Sequence, residues 1–127
     1  MRGLCPMNCG LRVELNEIPP ALQADLSRVD EIWTEGTHRF GGPYLCGAKF
    51  TAADAFFAPV AYRVQTYGLP LSGPAQAYAD LVLGHPSMQD WYASALVEPW
   101  REENHEAEAQ SVGNIVDDHR KRIASAD

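Results

Sequence analysis

Cys5 and Cys9 are the first side chains that could do chemistry together. Four residues apart, they would share one face of a helix, where a thiol pair can be oxidised or can hold a soft metal. Pro6 breaks a regular helix between them. A CxxxC spacing is not the CxxC redox motif, and no second pair completes a zinc tetrad. The pair therefore reads as structural. Glu102 and His105 make an E-x-x-H spacing, which carboxylate-bridged di-metal bundles use twice, together with two further carboxylates. Here it occurs once, in an acidic stretch, so no metal site is expected. Gly41, Gly42 and Pro43 form a turn and not a phosphate loop, because no GK[ST] follows. The four histidines are scattered, and no Ser-His-Asp arrangement can be read from them. Arg63 and Thr66 are three apart and share a helix face, with Tyr62 adjacent. The plain reading of Arg63 is an ion pair at the surface. No catalytic residue emerges from spacing.

One acid is harder to place. Asp54 lies near the start of FTAADAFFAPVAYR, residues 50–63, a segment with one acid, one base and a central Pro59. Thr51-Ala52-Ala53-Asp54 fits a capping box with Asp in the place of Glu. The Thr51 hydroxyl can accept from the Asp54 N–H, and the Asp54 carboxylate can accept from the Thr51 N–H. The negative charge also meets the positive end of the helix dipole. Phe56, Phe57, Val60, Tyr62, Val64 and Tyr67 follow without lining up on one face. A helix that is apolar all round is a central helix, so its start is buried and its cap must be internal. Asp54 is thus read as structural. Pro59 removes one helical hydrogen bond and is expected to bend the helix.

The elements that must position these residues are helices. Pro20 or Ala21 opens the first, with Leu22, Leu26, Val29 and Trp33 as its apolar stripe, and glycines from Gly36 onward break it. YLCG reads as a short apolar linker; a strand is possible there, but nothing offers it a partner. The helix that opens at Thr51 ends at Gly68. A third runs from about Pro74 to Leu83, with Tyr78, Leu81 and Val82 inward. A fourth opens at Pro86, carries Met88, Trp91, Tyr92 and Ala95 on one side, and ends or kinks at Pro99. No βαβ alternation or internal repeat is visible. The expected fold is all-α, a bundle of about four to five helices. Residues 1–18 form a weakly patterned segment before the bundle, 19–101 the helical domain, and 102–127 an acidic polar tail expected to be flexible. The alternative for the tail is one short docking helix marked by Val112, Ile115, Val116 and Ile123.

Composition bounds the rest. The chain has 127 residues, room for one domain and one core. Net charge is -7, and residues 102–127 hold 7 of the 17 acids. An acidic chain repels phosphate backbones, so nucleic acid is not an expected partner, and the basic cluster Arg120, Lys121 and Arg122 is too small to alter that. Three cysteines argue against a disulfide framework and for a reducing compartment. No apolar run reaches the ~18 residues of a membrane span, and the first ten residues lack a signal-peptide core. A cytoplasmic protein without membrane contact is expected.

RFGGPYLCGAKFTAADAFFAPVAYRVQTYGL, residues 39–69, resembles the C-terminal domain of bacterial glutathione S-transferases. That family places F-T/S-x-A-D after a glycine-bearing loop, at the start of its central helix. Its buried capping box and hydrophobic staple correspond to Phe50, Thr51 and Asp54. HPSMQDWYASALVEPW resembles its late helix. The resemblance spans about residues 10–101. It implies glutathione as co-substrate and a small electrophilic acceptor for the full-length protein, and a possible homodimer. It also implies an acceptor pocket that Tyr62, Arg63 and Thr66 could line. The family's thioredoxin-like domain, which binds and activates glutathione, has no counterpart in these residues, and its catalytic cysteine cannot be equated with Cys5. This chain is therefore expected to bind no cofactor, to carry no catalytic residue and to be inactive alone. The alternative is a stand-alone helical interaction module of the same fold.

Overall fold

The structure is a computed structural model, and it describes residues 1–120. Five helices and one two-stranded sheet follow in the order β1 (Leu11–Leu15), α1 (Pro20–Arg39), α2 (Ala52–Tyr67), α3 (Gly73–Leu83), α4 (Pro86–Val97), α5 (Glu103–Val112) and β2 (Gly113–Asp118). The fold is the expected helical bundle, with a small sheet added.

Proline opens α1, α3 and α4 within their first two positions, where its missing N–H costs no helical bond. The α1 stripe buries Leu22, Leu26 and Trp33, and leaves Val29 at the margin. The helix does not stop at Gly36. It continues to Arg39 because Gly36 faces the loop after it: a Cβ there would meet the Leu45 side chain at 3.1 Å and the Leu45 carbonyl at 3.2 Å. The glycine serves close approach and not termination. Gly68 caps α2 with a left-handed φ of 55°, a conformation that favours glycine. Asp30 of α1 accepts from the Ser72 N–H at 2.5 Å and from its hydroxyl at 2.7 Å, which fixes the start of α3 on α1.

The core lies where α3 meets α1 and α2, and where α2 meets β1. Trp33 sits there, tilted on Tyr78 and edge-on to Phe57. Two details differ from the helical patterning. Phe56 is 85% exposed, so α2 is not surrounded at its first turns. Trp91 is 40% exposed, although its ring packs perpendicular to that of Tyr62, with centroids 5.0 Å apart.

The larger difference is at the ends of the chain. Residues 103–118 form α5 and β2, where a flexible tail was expected. β2 pairs antiparallel with β1, from Leu15↔Gly113 to Leu11↔Asp118, with an irregularity between Arg12 and Val13. Leu11 and Val13 point to the core, and Ala109 of α5 is buried. Val112 is half-buried, while Ile115 and Val116 remain largely exposed. Tyr44 and Gly47 make one isolated bridge, so YLCG does find a partner, within its own turn. Lys121, Arg122 and Ile123 lie outside the described residues.

Candidate functional site

The start of α2 is the most elaborate polar site in the core. Both halves of the Thr51–Asp54 capping box are in place. One Asp54 oxygen accepts from the Thr51 N–H at 2.8 Å and from the Thr51 hydroxyl at 3.0 Å. The other accepts from the Leu45 N–H at 3.1 Å and from the Tyr78 hydroxyl at 2.9 Å. Asp54 has no solvent exposure. Burial alone would raise its carboxyl; the bonds from Leu45, Thr51 and Tyr78 outweigh that and hold it below the ordinary carboxylate range. One carboxylate thus ties the preceding loop, the helix start and α3 together. Phe50 stacks on His85 at 4.3 Å and meets Tyr44 edge-on at 5.7 Å. It therefore holds the entry loop against the start of α4. The box could be read from local spacing. Leu45 and Tyr78 could not, being 9 and 24 residues away from Asp54.

The second half of α2 grips the N-terminal segment. Arg63 Nε donates to the Cys5 carbonyl at 2.8 Å, Thr66 Oγ1 to the Asn8 carbonyl at 2.6 Å, and the Tyr67 hydroxyl to the Pro6 carbonyl at 2.5 Å. The Tyr62 hydroxyl instead donates to the Met88 carbonyl at 2.5 Å, on α4. Tyr62 and Thr66 are buried and their hydroxyls are engaged. Of the three residues proposed from sequence, Arg63 lines a cavity, beside Pro59 and Val60. Its Nη1 donates to the Pro59 carbonyl at 3.1 Å, and it has no carboxylate partner among the described residues, so it is not the surface ion pair of the plain reading. Tyr67, which sequence reasoning left in the general core, belongs to this grip; its partner is 61 residues away.

The groups that could stabilise a thiolate are poorly tuned for it. Burial pushes the Cys9 thiol up to about 11 and raises Cys5. Burial pushes Tyr62 up to about 12 and Tyr67 higher still. Tyr78 is raised by burial and by its bond to Asp54. Glu102 caps α5 by accepting from the His105 N–H at 2.7 Å, and His105 Nδ1 lies 3.1 Å from Glu108, both largely exposed. Among the described residues no cluster of three or more His, Cys, Asp or Glu could hold a metal ion. No described helix is long and apolar enough to cross a membrane.

A helical bundle whose central helix opens on a buried carboxylate box defines the class. Residues 16–94 match the family described as glutathione S-transferase, C-terminal domain, and the chain belongs to that family. Neither the curated proteins nor the solved structures contain a significant match.

Proposed function

We propose that this chain is the helical scaffold of a glutathione S-transferase-like protein, in which conjugation of glutathione to an electrophile depends on groups other than those described here. The observation that carries this reading is the state of the hydroxyls. Thiolate stabilisation needs a donor that is free and has a suitable pKa. Tyr62, Thr66, Tyr67 and Tyr78 all donate to partners within the chain, and burial raises the three tyrosines. The buried cysteines are shifted upward too. The helical part would then supply shape, acceptor contacts and a share of a dimer interface. The exposed Phe56 and Ala55 on the first turns of α2 suit a face that rests on another domain or subunit.

The test is glutathione conjugation to an aryl halide by the purified chain. The expected rate equals the uncatalysed one. A saturable rate above it would overturn the reading.

A further inference from the structure

We infer that the cavity between β1, the turn after it and the end of α2 binds a small primary amine with an apolar body, its ammonium group held by Gln65 Oε1 and by the Glu14 and Glu17 carboxylates. The cavity measures about 450 Å³, within the ~300–1,000 Å³ range of small-molecule sites. Leu15, Ile18, Tyr67 and Val116 give it apolar walls. Ile18 is 38% exposed and Val116 61%, so apolar surface reaches its mouth.

Gln65 carries the inference. Its Oε1 is shut off from solvent and accepts no hydrogen bond from a described residue. A buried acceptor without a donor is costly, and nearly all such groups in folded proteins are satisfied. The Gln65 side chain is half-buried and lines the cavity. Its terminal amide torsion is soft, so a small turn presents Oε1 to a ligand. The group that completes the site is therefore a donor.

The charges select which donor. Glu14 and Glu17 line the same cavity, are exposed, and make no ion pair with a described residue. Arg12 is the one base on the lining. Its guanidinium is committed to the Cys9 carbonyl at 3.2 Å, the Leu11 carbonyl at 2.8 Å and the Tyr92 hydroxyl at 3.4 Å. Two unpaired carboxylates thus stand against one engaged cation. An ammonium group answers both the charge and the orphaned acceptor. A carboxylate ligand would meet two like charges and bring no donor. The apolar walls favour an aryl or alkyl body over ammonium itself. The inference stands apart from the transferase reading and needs no conjugation activity.

The experiment is isothermal titration of the full chain with phenethylamine, its neutral analogue 2-phenylethanol and the anion 3-phenylpropionate. The amine is expected to bind saturably and roughly tenfold or more tighter than the alcohol, as a charge-assisted hydrogen bond allows, and the anion not at all. Gln65→Leu should lose about 10- to 100-fold in amine affinity. The same variant should melt at a higher temperature, because it deletes an unsatisfied buried acceptor. A purely structural glutamine would not give that pairing of lost binding with gained stability. Should Gln65→Leu fail to fold, the double variant Glu14→Gln, Glu17→Gln decides; it should leave the melting temperature nearly unchanged and weaken the amine about tenfold or more. Absent saturable amine binding, equal affinity for amine and alcohol, or unchanged amine affinity in the folded Gln65→Leu or in the double variant would each overturn it.

Discussion

Asp54 has four donors on two oxygens and no contact with solvent, so its removal strands groups that cannot turn to water. Asp54→Ala leaves the Leu45 and Thr51 N–H groups without an acceptor and should cost roughly 2–6 kcal/mol, at about 1–3 kcal/mol for each orphaned donor. Denaturant unfolding measures this, and an effect below ~1 kcal/mol would remove Asp54 from its central role. The pH dependence has a definite sign. The carboxyl is held below its ordinary value in the folded state, so its contribution is fully present above the unfolded pKa of about 3.9. It is lost as pH falls through the folded value. The stability gap between wild type and Asp54→Asn should therefore be constant near neutrality and shrink below about pH 4. A gap that widens on acidification contradicts the assignment. At this scale the sequence was informative only locally. Thr51 and Asp54 announce a box because they are three apart, whereas Tyr78 and Leu45 complete it through tertiary contact.

Helices α1 to α4 could be read from apolar spacing, from opening prolines and, for α2, from the Thr51–Asp54 box, since these signals act within one or two turns, whereas α5 lies in a stretch read as a flexible tail. β1 and β2 could not, because their pairing joins residues about a hundred positions apart. LRVEL alternates clearly enough, yet GNIVDD sits in an acidic stretch and offers no core face. Gly113 is the sensitive point of the pair. A Cβ there would lie 2.2 Å from the Glu14 carbonyl oxygen and 2.9 Å from the Leu15 Cα, both main chain. Gly113→Ala should push the strands apart at a cost of about 1–3 kcal/mol, with faster amide exchange across β1 and α5 and little change in α3. Uniform exchange behaviour in mutant and wild type would mean that the sheet does not secure the ends. The grip of α2 on the N-terminal segment is tested separately. Thr66→Val removes the bond to the Asn8 carbonyl and should cost about 1 kcal/mol, with protease cleavage before residue 11 becoming faster. Cleavage at the wild-type rate would show that the bond contributes nothing.

Across the whole molecule, buried polar chemistry is directed inward. Asp54 fixes a loop to two helices, and the α2 hydroxyls and Arg63 hold main-chain carbonyls. The family is one of bundles that accompany glutathione chemistry, and we propose this chain as the scaffold for it. Those two statements meet in one measurement, the thiol pKa of glutathione followed by its thiolate absorbance with and without saturating chain. We predict an unchanged pKa and no saturable binding, because every tyrosine hydroxyl in the core is committed to the fold. A thiol pKa lowered by one unit or more, with a one-to-one stoichiometry, would contradict the account.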